Sequence, residues 1–182
     1  GYGFDTPRPI VGVAKRRIYS NTGIEAAAAH VESRTAIPFA DYMREAVFDP
    51  LSMTSSRLKA SPAYAVFSTV RDMCQFATEM LSPTLISSET AHDAMSPQWP
   101  DLAGVIPGLG SFRPNPWGLG IEIRGDKSPH WTGSLNSALT VGHFGGSGTM
   151  MWVDPAINTA LIALTDRMFD EWAAQALAAW PA

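Results

Sequence analysis

The sequence is poor in cysteine and has no long hydrophobic run, and both absences narrow its class. Cys74 is the only cysteine among the 182 residues, which excludes an internal disulfide framework and a zinc site built on several thiolates. No apolar stretch approaches the length of about 20 residues that a helix needs to cross a bilayer, so we predict no membrane span. No signal peptide is visible, and the chain begins with Gly1 rather than Met, so the sequence predicts no compartment.

Charge is also sparse, which excludes some partners. Charged residues make up 16% of the chain. The 13 Lys and Arg residues are scattered along the sequence, and the 17 Asp and Glu residues outnumber them, which gives a net charge of −4. A nucleic-acid or anionic-membrane surface needs basic residues gathered on one face, so we predict neither partner. The four histidines lack the spacing of metal ligands, and no metal or cofactor is predicted. The 46% hydrophobic content is typical of a folded globular protein.

The order of the local patterns predicts an α+β fold. The first part, residues 1–96, is mostly helical in pattern. Its predicted helices are an alanine-rich run at 24–31, an amphipathic segment at 39–48 opened by Pro38, a segment from the capping residue Thr69 to Pro83, and a short helix from Ser87 or Ser88 to Met95. Residues 97–116 are rich in Pro and Gly and are predicted to form a surface loop.

The last part, residues 117–182, changes to the pattern of antiparallel strands followed by a helix. The predicted strands are 117–123, 139–143, 149–153 and 159–165, and the predicted helix is 169–180. Asp154-Pro155 separates the last two strands by so little that they should form a hairpin. The three parts together read as one incomplete domain of a larger fold.

Several short segments then occur in a distinctive order along nearly the whole chain. They are Tyr19-Ser20-Asn21-Thr22-Gly23, Asp49-Pro50-Leu51-Ser52-Met53, Ser68-Thr69-Val70-Arg71-Asp72-Met73, Trp117-Gly118-Leu119-Gly120 and Gly142-His143-Phe144-Gly145-Gly146-Ser147-Gly148-Thr149. In this order they resemble the serine β-lactamase and penicillin-binding-protein superfamily, in its branch of class C β-lactamases, esterases and D-alanyl-D-alanine peptidases. The resemblance implies a β-lactamase/transpeptidase-like fold and hydrolysis through a serine acyl-enzyme, without a cofactor.

The Tyr-x-Asn segment would supply one side of the catalytic cleft. The resemblance implies that Tyr19 takes the proton from the nucleophilic serine and that Asn21 bonds the motif lysine and a substrate carbonyl. A free tyrosine has a pKa near 10, so this role needs a neighbouring cation. Ser20 is predicted to be only the spacer between Tyr19 and Asn21. The alternatives are a half-buried loop tyrosine for Tyr19 and a turn asparagine for Asn21.

The His-x-Gly segment would supply the opposite side. The resemblance implies that His143 replaces the lysine of the related Lys-Thr-Gly strand, that Gly145 lets substrate approach, and that the Gly146 N–H forms half of the oxyanion hole. Phe144 departs from the pattern because it has no hydroxyl for a substrate carboxylate, which favours an ester. A structural histidine is the alternative for His143. Four further aromatic residues are candidates either for a cleft wall or for ordinary packing: Trp99, Phe112, Trp117 and Trp131.

The nucleophile segment of the family pattern is missing. It should be a Ser-x-x-Lys well before Tyr19, and none of the residues ahead of Tyr19 is a serine. The one Ser-x-x-Lys, at Ser56-Arg57-Leu58-Lys59, follows a surface connection, and we interpret it as coincidence. We therefore expect the C-terminal part of a serine hydrolase for ester, β-lactam or peptide substrates, inactive alone, whose partner is the missing N-terminal segment or another copy. The alternative is a non-catalytic binding or assembly module.

Overall fold

Helices come first in the chain and the main sheet comes last. The computed structural model describes residues 15–169, so the helix predicted at 169–180 lies almost wholly outside the described residues. The helices are α1 (Asn21–Thr35), α2 (Phe39–Met43), which continues as one π-helical turn (Arg44–Phe48), α3 (Val70–Leu81) and α4 (Ser88–Ala94). Together with the antiparallel strands below, they confirm the predicted α+β class.

Side-chain caps set where three of these helices begin. The hydroxyl of Thr69 accepts from the backbone N–H of Asp72 at 3.2 Å, which confirms the predicted cap. The hydroxyl of Ser87 caps α4 in the same way. Ser20 accepts from the N–H of Gly23 at 3.3 Å and caps α1. The prediction that Ser20 is only a spacer was therefore wrong, and α1 begins at Asn21 rather than at residue 24.

The main sheet has four antiparallel strands in chain order. They are β5 (Glu122–Ile123), β6 (Val141–Gly145), β7 (Thr149–Asp154) and β8 (Thr159–Leu164). The predicted hairpin of the last two is confirmed, with Thr149 opposite Leu164 and Asp154 opposite Thr159. The first strand is much shorter than predicted, and Trp117 makes only an isolated bridge with Glu122.

Two short hairpins escaped the sequence analysis. Residues 97–116 do not form a simple loop, because β3 (Gly104–Ile106) pairs there with β4 (Gly110–Phe112). The glycines that suggested a loop serve the tight turn instead, since Gly108 and Gly110 have φ values of 79° and 113°, which glycine adopts without strain. In the helical part, β1 (Arg57–Leu58) pairs with β2 (Val66–Phe67).

The two faces of the main sheet carry separate cores. One face packs against α3 through Ala77, Ile123, Val141 and Val153. The other face carries Trp131, Met150 and Trp152. Because side chains alternate along a strand, this arrangement also assigns the faces of the remaining β6 residues.

Candidate active site

Tyr19, Trp117 and His143 meet in what we call the aromatic triangle. The ring centroids lie 5.6 Å apart for Tyr19 and His143, 5.8 Å for Trp117 and His143, and 6.1 Å for Tyr19 and Trp117. Tyr19 precedes α1, Trp117 precedes β5, and His143 lies on β6. The structure thus brings together the predicted Tyr-x-Asn and His-x-Gly segments, which stand far apart in the chain.

Backbone and side-chain bonds fix the segment that carries Tyr19. The N–H of Arg17 donates to the carbonyl of Ala103 at 2.8 Å, and Arg17 forms an isolated parallel bridge with Gly104. The Arg17 guanidinium donates to the carbonyls of Asn115 at 3.0 Å and Gln98 at 2.6 Å. With the α1 cap on the other side, Tyr19 is anchored at both ends.

Burial controls the ionisation of both candidate groups. It lowers the pKa of the His143 imidazole below its ordinary value, and a main-chain contact with Phe144 and the negative charge of Glu122 only partly oppose it. Burial raises the pKa of the Tyr19 hydroxyl. At neutral pH both rings are therefore uncharged in this chain, so they can exchange hydrogen bonds but supply no fixed cation.

Phe144 follows His143 on β6, and its ring stacks on the His143 ring with the centroids 5.9 Å apart. Its ring packs against Trp131 and Phe169, with centroids 5.5 Å and 5.6 Å away. The side chain therefore links the core around Trp131 to the aromatic triangle, through its contact with His143. Trp131 is only 2% exposed, which makes it a packing residue rather than a cleft wall.

The other predicted site residues lie at the ends of their elements. Asn21 is the first residue of α1, half-buried, and its side chain makes no hydrogen bond to any residue of the described range. Gly145 ends β6, and a Cβ there would lie 2.8 Å from Thr149 Oγ1. Gly146 is exposed, and a Cβ there would have no heavy atom within 4 Å, so its backbone borders open space.

Comparison with known proteins identifies the family. The sequence profile of the Beta-lactamase family matches residues 8–181. The chain belongs to the β-lactamase family. A crystal structure of a β-lactamase from Mycobacterium bovis is 44% identical, with a TM-score of 0.93, over 100% of this chain and 66% of that one. None of the curated proteins matches.

More distant structures share the fold alone. A β-lactamase/D-alanine carboxypeptidase from Yersinia pestis is 18% identical with a TM-score of 0.64, covering 86% of this chain and 51% of that one. Simvastatin synthase from Aspergillus terreus is 14% identical with a TM-score of 0.67, covering 92% and 53%. This β-lactamase family chain therefore spans between about half and two thirds of the length of these relatives.

The Ser-x-x-Lys at residues 56–59 does not have the geometry of the β-lactamase family motif. The motif needs its serine and lysine one helical turn apart, whereas here the two residues flank strand β1. The Ser56 hydroxyl donates to the Asp72 carboxylate at 2.7 Å, and the Lys59 ammonium lies 4.2 Å from the centroid of the Phe67 ring. Both side chains thus have structural partners away from the aromatic triangle.

Sequence reasoning missed a buried group of charges in this β-lactamase family chain. Glu122 and Lys127 side chains are each 2% exposed, and Lys127 Nζ lies 2.7 Å from Glu122 Oε1. The same carboxylate accepts from Trp131 Nε1 at 2.7 Å and lies 2.9 Å from His130 Nε2. Burial raises the pKa of Glu122, but the bond to His130 and the charge of Lys127 outweigh it and hold the pKa below its ordinary value. The visible signal was a glutamate between Ile121 and Ile123.

Other kinds of site find no support in the described range. Residues 15–169 contain no group of His, Cys, Asp or Glu side chains that could hold a metal ion. None of the helices described there is long and apolar enough to cross a bilayer. A cavity of about 340 Å³ contains none of the predicted catalytic residues; its lining is Lys15, Arg16, Ala103, Ser111, Phe112 and Arg113. Trp99 is 62% exposed and is not among the residues that line this cavity.

Proposed function

We propose that the intact protein is a serine hydrolase acting on esters of uncharged acyl groups, and that this chain supplies the Tyr19 and His143 side of its active site. The contact between these two rings, 5.6 Å between centroids, is the observation that carries the proposal. It joins the two motifs that the β-lactamase family places on opposite sides of one cleft. The nucleophilic serine and its lysine would come from a segment other than these 182 residues.

The chemistry assigns a separate task to each group. The serine oxygen attacks the ester carbonyl carbon, its proton passes to the Tyr19 oxygen, and the alcohol leaves with a proton, which gives an acyl-enzyme that water hydrolyses. Because burial raises the pKa of Tyr19, the phenolate needs a cation beside it, which the family's motif lysine would provide. The neutral His143 would orient the substrate by hydrogen bonding. The Gly146 N–H, which borders open space, would stabilise the oxyanion.

The preference for an uncharged acyl group follows from Phe144. A threonine at this position in the related strand presents a hydroxyl to a substrate carboxylate, and phenylalanine has none. The Phe144 ring is also held between Trp131 and Phe169. We therefore expect the intact protein to hydrolyse p-nitrophenyl esters much faster than penicillins, measured side by side. Efficient hydrolysis of penicillins would contradict this preference. Phe144→Thr would open the aromatic packing as well, so the selectivity of the unaltered protein is the cleaner measurement.

A labelling experiment tests the proposal directly. The 182-residue chain and the intact protein are each incubated with a fluorophosphonate probe, and the intact masses are measured. We expect no adduct on the chain and a stoichiometric adduct on the intact protein, at a serine outside the chain. A mass gain at Ser56 would show that its Ser-x-x-Lys is the true motif, and one at Ser20 or Ser147 would show another mechanism.

A tyrosine pair adds the matched control. In the intact protein Tyr19→Phe should slow labelling, since the proton acceptor is lost. Tyr64→Phe should leave the labelling rate unchanged, because Tyr64 is 71% exposed and has no predicted role in the reaction. Equal labelling rates for both variants would remove Tyr19 from the mechanism. If the intact protein takes no label at all, the alternative function gains support: a binding or assembly module that keeps the fold. The absence of a helical Ser-x-x-Lys within the described residues is the observation that favours that alternative.

A further inference from the structure

The buried charges belong to a continuous chain of contacts that runs between the two halves of the candidate site. We call it the polar bridge and define it as Arg17, Asn115, Lys127, Glu122 and Trp131. Arg17 Nε donates to the Asn115 carbonyl at 3.0 Å, and Lys127 Nζ donates to Asn115 Oδ1 at 3.0 Å. Lys127 Nζ also lies 2.7 Å from Glu122 Oε1, and Trp131 Nε1 donates to Glu122 Oε2 at 2.7 Å.

Each end of the polar bridge reaches one of the predicted motifs. At one end, Arg17 stands two residues before Tyr19 in the segment fastened to β3. At the other end, Glu122 pairs with Gly142 in the β5–β6 register, directly before His143, and Trp131 packs on Phe144. Lys127 lies in the middle, because its ammonium is the group that contacts both Asn115 and Glu122.

The burial of this pair needs an explanation. Side chains only 2% exposed have lost almost all contact with water, and a buried ion pair often gives no more stability than apolar residues of the same size. What such a pair can supply is geometry, since both charges are satisfied in one arrangement only. Here that arrangement joins the loop before β5, the strand β5 and the Tyr19 segment.

We propose that Lys127 is a positioning residue whose ammonium, held between Glu122 and Asn115, keeps Tyr19 in contact with His143. This extends the proposed function, because Tyr19 and His143 are the groups that the proposed reaction needs on one cleft. Lys127 itself touches neither ring in this role. It acts through Asn115 and Arg17 on one side and through Glu122 on the other.

The test measures the Tyr19–His143 contact without any turnover. In the 182-residue chain, NMR cross-relaxation between the ring protons of Tyr19 and His143 reports their separation, which at 5.6 Å between centroids gives a measurable signal. We expect Lys127→Met to weaken this signal severalfold. Lys59→Met makes the same substitution at a lysine whose ammonium lies on the Phe67 ring, away from the bridge, and should leave the signal unchanged.

A second variant controls for the possibility that the first one does not fold. Lys127→Met leaves Glu122 buried without its cation, so the doubly neutral variant Glu122→Gln with Lys127→Met is measured as well. It should fold and also lose the Tyr19–His143 signal. A folded variant of either kind that keeps the full signal overturns the proposal. Failure of both variants to fold also overturns it, since the pair would then serve stability alone. The labelling result on the intact protein is independent of this one, so the two proposals can fail separately.

Discussion

Two glycines near His143, Gly142 on β6 and Gly146 just after it, offer a sharp test of the strand geometry. Gly142 lies opposite Trp152, and a Cβ added to Gly142 would lie 2.3 Å from the Met151 carbonyl oxygen and 2.8 Å from Trp152 Cα. The first distance is 1.1 Å short of the 3.4 Å at which ordinary contact begins. Since these atoms belong to the backbone of β7, they cannot turn aside as a side chain can.

The overlap sets the expected size of the effect. Forcing extra atoms into a packed interior costs about 1–3 kcal/mol and occasionally more, while the stiffer unfolded chain of an alanine variant offsets about 0.4–1 kcal/mol. For Gly142→Ala we expect the free energy of unfolding to fall by about 2 kcal/mol. Gly146→Ala is the matched control, because its Cβ would have no heavy atom within 4 Å, and its change should stay within about 0.5 kcal/mol.

Urea unfolding followed by tryptophan fluorescence measures both variants. With a typical urea slope of about 1–3 kcal/mol per molar, a loss of this size moves the midpoint by roughly 1 M. Equal midpoints for the two variants would refute the close approach of β6 and β7 at Gly142. If the clash is confirmed, the His143 ring resonances should also shift in Gly142→Ala, because the displaced strand carries the imidazole.

Three further outcomes follow from single contacts. Asp154 is fully buried and accepts bonds from the Ser137 N–H and hydroxyl at 2.7 and 2.6 Å, and these bonds outweigh burial and lower its pKa. Asp154→Asn should therefore lower the free energy of unfolding by about 2–3 kcal/mol at neutral pH, measured by urea unfolding. The difference in stability between the two proteins should shrink as pH falls through the lowered pKa, because the stabilisation needs the ionised carboxylate. A difference that does not change with pH would contradict this. Glu122→Gln should lower the pKa of His143 further in an NMR titration, because the negative charge that favours the imidazolium is gone; a raised pKa would contradict the assigned sign. Ser20→Ala should cost about 1 kcal/mol through the lost α1 cap, and no loss in thermal unfolding would show that the cap carries no stability.

Features governed by neighbouring residues in the chain could be predicted well. The cap Thr69 and the final hairpin depend on local hydrogen bonds and on strand alternation, and the structure has them as predicted. The fourth helix begins after Ser87, one of the two starts that the sequence left open. The hairpin at Gly104 and Gly110 was missed because its glycines indicate a turn equally well in a loop, and only its pairing distinguishes the two. A loop and a hairpin differ at this point only in whether residues 104–106 pair with residues 110–112.

The same distinction between local and long-range features applies to the candidate site. The family resemblance predicted Tyr19 and His143 on opposite sides of one cleft, and in the structure their rings lie 5.6 Å apart between centroids. The polar bridge could not be predicted, because Lys127 is buried only after the loop that carries it folds onto Glu122, and a lysine in a loop is ordinarily solvated. The contacts of Phe144 with His143, Trp131 and Phe169 could not be predicted either, since they depend on the exact start of β6 and on residues outside the strand.

The contact between the neighbouring rings of His143 and Phe144 has a consequence for how this protein can be altered. Adjacent residues on β6 serve different layers, one beside Tyr19 and Trp117 and the other between Trp131 and Phe169. Because the Phe144 ring also stacks on His143, and Trp131 donates to Glu122, replacing either residue of the far layer changes contacts that reach the imidazole or the polar bridge. Polar chemistry and apolar volume are thereby linked properties of one short strand, and a change in one is expected to alter the other.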